Sequence, residues 1–443
     1  MFPRTIARLC VLVLFAAALV ADSLPAQHSM NMGAMMIDPL GVSMERMGSG
    51  TTWIPDAVPL PARHVMAGSW LLMLHGFAFV QYDKQSSPRG RDQFGSLNWA
   101  MVMASRDWLG GRFQARTMLS LDPATVTNRG YPLLLQSGES YRGQPLHDRQ
   151  HPHDFWMELA LMYERAMTPG IGVSVYAAPS GEPALGPVAF MHRPSAMDNL
   201  AAPISHHWQD ATHISFGVVT TGLFGTHWKI EGSAFNGREP DEERWGFDRL
   251  RLDSYSGRFT AHLDSNWVVS AGYGFLESPE ALNPTESMHR TTASVLYGRK
   301  LGINGQLATA LVWGANRHAG RTTHSALAEA EAVLDARNTI YGRLELVHKT
   351  AEDLVLSTVP PETQFDVTAL SAGYIREVVR SSRTTLGLGL QGTINRVPGG
   401  LESAYGSRTP VGGMLFLRLR PVHAPHDMAK GPMPMSHGHG QKN

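Results

Sequence analysis

The chain is poor in cysteine, in charge and in long hydrophobic runs, and each shortage excludes something. One cysteine, Cys10, stands among 443 residues. A disulfide framework, a thiolate zinc site and a CxxC redox centre are therefore excluded. Charged residues make up 17%, where about 25% is usual for a soluble domain. Lys+Arg 38 against Asp+Glu 38 gives zero net charge, so the basic excess of a nucleic-acid-binding surface is missing. Beyond the N-terminus the most apolar stretch is Trp70 to Val80, interrupted by His75. That is too short for a membrane-spanning helix, which needs about 20 apolar residues. A transmembrane β-strand needs only about 9–11 alternating residues, so a membrane barrel stays open.

Glycine is plentiful, at 44 residues, and 43% of the chain is hydrophobic. At the start, Arg4 and Arg8 form a positive region ahead of an apolar run from Leu9 to Val20, with small residues at Ala21 and Ala26. This is the pattern of a secretory signal peptide, residues 1–26, cleaved after Ala26. Cys10 falls inside it, and Ala7-Arg8-Leu9 before it is no lipobox. The mature chain is then expected to have no cysteine at all.

From Gly68 onward the period is two. Leu386, Leu388, Leu390 and Ile394 interleave with Gly387, Gly389, Gln391, Thr393 and Asn395. Arg112, Gln114 and Arg116 share one face, with Phe113, Ala115, Thr117 and Leu119 on the other. Alternation puts successive side chains on opposite faces of a strand. Strands are expected near 69–82, 95–106, 111–121, 154–166, 171–179, 211–222, 226–236 and 254–264. The others fall near 266–276, 288–300, 303–316, 323–334, 337–349, 365–379, 382–396 and 409–420. Connections alternate between short turns such as Thr168-Pro169-Gly170 and long loops such as Asp122 to His153 and Ser180 to Asp210. A soluble sandwich gives the same alternation, but short turns on one rim and long loops on the other belong to outer-membrane barrels.

The expected fold is therefore all-β: a transmembrane antiparallel β-barrel of about sixteen strands, with short periplasmic turns and long extracellular loops. Its domains are the signal peptide 1–26, a Met-rich periplasmic extension 27–67, the barrel 68–420 and a Met/His-rich tail 421–443. The two longest loops are expected to fold over or into the lumen. Ser325 to Asp335 is rich in alanine and glutamate and has helical propensity. Losing it would break the even strand count, so a strand is expected there.

Candidate chemistry concentrates in methionine and histidine. The N-terminal extension holds His28, Met30, Met32, Met35 and Met36, and the tail holds Met433, Met435, His437 and His439. Thioethers are soft ligands that prefer Cu(I) or Ag(I), while imidazole also accepts Cu(II). Incidental low-complexity composition is the plain alternative. In the long loops, His151 and His153 form a His-x-His pair, and His206 and His207 are adjacent. These four are candidate metal ligands; their bland counterpart is hydrogen-bonded loop packing. Arg112, Arg116, Glu158, Lys229, Glu231, Arg343 and Glu345 are candidate pore-lining charges. Internal ion pairing that braces the barrel is the rival reading of those charges.

No nucleophile elbow or HExxH occurs, so no enzyme activity is expected. The signal sequence, the Met-rich N-terminus and the barrel rhythm together resemble porin-like bacterial outer-membrane β-barrels. The Met/His extensions are similar to those of copper-resistance outer-membrane proteins of the B class. Asp148-Arg149-Gln150-His151-Pro152-His153-Asp154, and Gly186 to Pro194, look like the signature of an uncharacterised barrel family. The resemblance implies a place in the bacterial outer membrane and a role in copper or silver tolerance. Its implied partners are outer-membrane lipid, metal ions or small solutes, and periplasmic metal-handling proteins, with no nucleic acid. No firm cofactor follows; Cu(I) or Cu(II) is the ion the ligand set suits, with Ag(I) open beside it. A general solute porin with incidental tails, and a loop-plugged structural or receptor barrel, are the alternatives.

Overall fold

The computed structural model describes residues 40–422. Strand β1 is Ala62–Ala67, β2 Trp70–Ser86, β3 Asp92–Trp108 and β4 Gly111–Leu119. A hairpin follows, β5 Tyr131–Tyr141 and β6 Gln144–Gln150, then β7 Trp156–Thr168 and β8 Ile171–Gly181. Next come β9 Ser215–Phe224, β10 Trp228–Phe235, β11 Ser254–His262 and β12 Trp267–Leu276. The remaining strands are β13 Met288–Leu301, β14 Gly305–His318, β15 Arg321–Val333 and β16 Asn338–Thr350. The series ends with β17 Gln364–Arg380, β18 Thr384–Arg396 and β19 Val411–Pro421.

Each wall strand pairs antiparallel with the next, and β19 returns to β2 through Val411↔Ser86 to Leu419↔Ala78. The result is a closed barrel of 16 antiparallel strands. Closure leaves no sheet edge unpaired, which is what lets strands cross lipid. Connections such as Leu109-Gly110, 225–227, 302–304 and 381–383 lie on one rim. The long ones, at 120–155, 182–214, 236–253, 351–363 and 397–410, lie on the other. The residues 319–320 make one short link on that second rim.

The alternation runs polar-in and apolar-out. Along β16, Thr339, Tyr341, Arg343, Glu345, Val347 and Lys349 are buried inside, while Ile340, Leu344 and Leu346 face outward. Val80, Val102, Leu161, Ile230, Leu311, Leu370, Leu390 and Leu415 likewise project from the outer surface. This inversion of the soluble pattern is the expected one for a barrel whose outer solvent is hydrocarbon. Among the described residues no helix is long and apolar enough to cross a membrane, a statement that leaves strands untouched.

The helix-prone segment 325–335 is strand almost throughout, as β15. Leu327, Glu329 and Glu331 point inward, and four alanines from Ala326 to Ala332 point outward. Both neighbours hold it in register, with Leu311↔Ala328 on one side and Ala328↔Leu344 on the other. A helix here would leave the ladders of β14 and β16 unpaired, so tertiary pairing overrides local propensity.

The boundary between extension and barrel at Gly68 does not hold for the residues just before it. Residues 62–67 form β1, which pairs with Trp70–His75 of β2, on the edge that β19 occupies farther along. Residues before β1 enter the lumen, where Trp53, Ile54, Val58 and Leu60 are buried. The barrel interior offers these apolar side chains the burial that a free extension lacks, about 1.5–3 kcal/mol for each large one. His28, Met30, Met32, Met35, Met36, Met433, Met435, His437 and His439 lie outside the described residues.

Candidate functional site

The lumen is filled by three inserts. The N-terminal strap around Met44–Val58 enters near the short-turn rim, where Ala57 donates its N–H to Ser265 O at 2.9 Å. The loop 182–214 is buried along its whole length, and the hairpin β5–β6 packs Leu133, Leu134 and Leu135 inward.

Wall charges hold these inserts. Glu329 on β15 accepts hydrogen bonds from Arg193 of the loop, from Ser195 Oγ at 2.8 Å and from Arg343 Nε at 2.9 Å. Arg343 also donates to Ala201 O at 2.8 Å. Asp198 pairs with Arg418, and Arg290 donates to His207 O at 2.7 Å. On the strap, Gly50 O accepts from Arg116 at 2.6 Å, Thr51 O accepts from Lys229, and Thr51 Oγ1 accepts from Arg258 at 2.8 Å.

The seven residues expected to line a pore, Arg112, Arg116, Glu158, Lys229, Glu231, Arg343 and Glu345, all face the interior and are all buried. Arg116, Lys229, Arg343 and Glu345 bind plug segments directly. Glu158 pairs with Arg116 at 3.3 Å and accepts from Tyr176 at 2.8 Å, and Glu231 pairs with Arg258. Four of the seven charges thus brace an insert, the rival reading of the sequence, while Glu158 and Glu231 pair with arginines of the wall.

The four loop histidines singled out by sequence come together within the plug. Ring centroids lie 6.1 Å apart for His151 and His206, 5.8 Å for His151 and His207, and 5.2 Å for His206 and His207. His213 extends the group 5.2 Å from His206, and His153 lies 5.6 Å beyond it. The short helical turn His206–Gln209 aims its two imidazoles, and the turn Ala211–His213 brings the third alongside.

Each of these rings has its Nδ1 engaged. His206 faces Asp210 at 2.7 Å, His207 faces Glu239 at 2.9 Å, His153 faces Asp122 at 2.8 Å and His151 faces Glu139 at 3.2 Å. His213 Nδ1 meets Asp210 O at 2.8 Å. An imidazole whose Nδ1–H is held by a carboxylate or carbonyl presents Nε2 as a free lone pair, the outer-shell pattern of metal-ligating histidines. His207 Nε2 and His213 Nε2 are buried without a hydrogen-bond partner.

Burial sets the charge state. It pulls His213 down to about 3, helped by the neighbouring His206 and His153. Burial likewise holds His151 and His192 well below the usual imidazole range. It lowers His206 too, and the Asp210 bond offsets only part of that. Asp210 runs the other way: burial raises it, but bonds and charges from His206 and Arg193 outweigh burial and keep it ionised. The result is neutral, oriented imidazoles, the protonation state in which a nitrogen binds a cation.

Among the described residues no three His, Cys, Asp or Glu side chains converge to chelate a single ion as they stand. Sharing an ion at this cluster therefore requires side-chain rotation. The sequence reading did not identify the carboxylates Asp122, Glu139, Asp210 and Glu239, because they lie 4 to 32 positions from their histidines. Only His206 and Asp210 have a local signal, the i,i+4 spacing of one helical turn.

No family model and no curated protein matches this chain. Solved structures do resemble it. An anion-selective porin from Comamonas acidovorans is 11% identical, with a TM-score of 0.48, covering 79% of this chain and 99% of the porin. Salmonella typhi OmpF in complex with daunomycin is 9% identical at a TM-score of 0.48, covering 81% and 100%. Pseudomonas putida OprB at high pH is 10% identical at 0.48, covering 80% and 94%. The strand count and closure of the present barrel rest on its own pairing registers, to which these likenesses add nothing.

Proposed function

We propose that the protein is an outer-membrane barrel that handles copper or silver ions through a lumen closed by its own plug. The observation that carries this reading is the gathering of His151, His206, His207 and His213 in the plug, each with Nδ1 held and Nε2 left as the donor. Apolar outward faces on most wall strands and a sealed hydrogen-bond ring support the membrane location. Filled as it is, the barrel passes an ion only when the plug shifts, so ligand exchange among imidazoles replaces diffusion through water. The Met/His extensions, residues 27–39 and 423–443, fit collection of the same soft ion on the periplasmic side.

The test is a titration of the purified full chain with Cu(I) and Cu(II) against a competing chelator. The partner variant carries His151→Gln, His206→Gln and His207→Gln together. Loss of bound copper in that variant supports the reading. Binding too weak to compete in the wild type would sink it. A second reading, a structural or receptor barrel with a fixed plug, is favoured by the dense pairing of Glu329 and Asp198 with arginines. Planar-bilayer recordings separate the two: current that never appears with or without copper favours the fixed plug.

A further inference from the structure

The register places soft ligands side by side on one wall. His75 on β2 is opposite Met101 on β3, Met101 is opposite Met118 on β4, and Met118 is opposite Glu158 on β7. All four point into the lumen and are buried, with exposures of 3–4%. Directly paired residues have Cβ atoms about 4.5–5.5 Å apart, so the row is contiguous. The neighbouring pair Met73↔Met103 adds two more inward thioethers beside it.

The plug supplies a cap to this row. His192 Nε2 lies 3.3 Å from Met118 Sδ, and its ring centroid is 5.5 Å from that of His75. Trp99 packs on both imidazoles, at 4.4 Å from His192 and 4.7 Å from His75. His75 Nδ1 is engaged by Pro61 O at 2.6 Å. His75 Nε2 and His192 Nδ1 are buried without hydrogen-bond partners. Buried imidazole nitrogens are normally satisfied, so each orphan is a donor awaiting something. A cavity of about 10 Å³ adjoins the row, bordered by Met118, His192, His213, Glu158 and Glu182, enough for one small particle.

We infer that His75, Met101 and Met118, capped by His192, form a binding site for one soft monovalent cation, Cu(I) or Ag(I). Buried methionines commonly fill gaps in a core. Here, however, they stand in a single register row with two unsatisfied imidazoles, and gap-filling does not explain those. Neutral thioether and imidazole donors suit a soft ion that accepts two or three ligands, and they disfavour hard divalent ions that need carboxylates. Glu158, which pairs with Arg116 at 3.3 Å, and Glu182 border the same space. His213 borders it as well, so the wall site continues the histidine group of the plug. The inference rests on the copper and silver reading and adds a second, sulfur-rich station to it.

The test uses silver as a redox-inert probe on the full chain in detergent. Ag(I) retained after desalting is counted per chain for the wild type, for Met101→Leu with Met118→Leu, and for His192→Gln. Met414→Leu, on β19 opposite Asp83 and towards the other end of β2 from His75, is the control. Volume-conserving leucines keep the core filled, and heat-modifiable gel migration reports barrel closure. The expected result is one equivalent of silver fewer in the double variant and in His192→Gln, with no change in the control. Anomalous diffraction from a silver-soaked crystal should place a peak between Met118 Sδ and His192. If the methionine pair cannot be replaced without losing the barrel, His192→Gln decides, because it leaves the wall intact. Unchanged silver stoichiometry in His192→Gln overturns the wall site while leaving the plug histidines as the metal station. No retained silver or Cu(I) in the wild type overturns both.

Discussion

Ser205 in the plug donates its hydroxyl to Glu345 Oε2 on the barrel wall at 2.8 Å, and its backbone N–H reaches the same oxygen at 3.0 Å. One wall carboxylate thus fixes a loop residue 140 positions away. Glu329, on the strand before, does the same for Arg193 and Ser195. These bonds hold the plug together with apolar contact, for Phe190, Met197, Leu200 and Trp208 share one buried cluster with Phe77, Phe79 and Trp99 of the wall.

Neutralising those two carboxylates should open the lumen. Removing one member of a buried pair typically costs about 3–5 kcal/mol, because the partner charge is left unmet. In Glu329→Gln with Glu345→Gln, Arg343 loses its counter-charge and Arg193 keeps only Asp210, at 3.4 Å, while the strands keep their ladders. Planar-bilayer conductance should rise from near baseline to clear open events, with heat-modifiable migration retained. A variant as silent as the wild type would show that the plug is anchored elsewhere.

Gly138→Ala should disturb the histidine group without touching a histidine. Gly138 has φ +109°, and a Cβ there would stand 2.3 Å from the His207 ring. Either the ring or the β5–β6 hairpin must move. Copper affinity should fall at least several-fold while overall strand content by circular dichroism stays constant. Wild-type affinity in the alanine variant would show that His207 is dispensable.

Acidification should loosen the plug. His192, His206 and His213 are depressed by burial, to about 3 for His213. An unfolded imidazole binds a proton near 6.5 while the folded one refuses it. Plug stability is therefore full above about pH 6.5 and declines below it, by up to about 1.4 kcal/mol per unit for each group. Burial raises Glu182 to about 8, which has the opposite consequence. Its protonated form is favoured in the plug, so that contribution fades as pH climbs from about 4.5 towards 8. Hydrogen exchange of amides 187–213 should accelerate between pH 6.5 and 5. Exchange that is flat across that interval would contradict the assigned neutrality.

The strap has its own latch. Arg46 clasps Asp56 through Nε at 2.9 Å and Nη2 at 2.7 Å, and stacks over Trp53 at 5.2 Å. Burial raises Asp56, but bonds from His262 and Arg46 outweigh it and hold the carboxyl at about 2. Arg46→Ala should free residues 44–58 to protease while the barrel stays closed. Limited proteolysis followed by mass mapping reads this directly, and a strap still protected would show that Trp53 and Ile54 suffice.

Much of the wall was legible in the sequence. All sixteen expected strands occur, most within a few residues of their observed ends, because a barrel in lipid demands strict alternation and the chain supplies it. Even 325–335 reads correctly once the even count is respected. Three features were not legible. β1 is only six residues, and the β5–β6 hairpin lies in a loop without clean alternation. The strap carries Met and Pro like any extension, and nothing local in it signals insertion into a lumen.

The site divides in the same way. His151, His153, His206 and His207 stand out by clustering in sequence, and the fold does gather them. Their carboxylate partners lie 4 to 32 positions away, and His75, Met101 and Met118 stand on three consecutive strands and meet only through strand register. The sequence by itself determined the alternation, the strand positions and the supply of Met and His, since these follow from local periodicity and composition. Only the tertiary structure decided that the lumen is filled, that several of its charges are spent on the inserts, and which imidazoles lie within 6 Å of one another. Those facts depend on strand register and on loop insertion, the latter set by contacts such as Arg193–Glu329 and Ser205–Glu345, 136 and 140 positions apart.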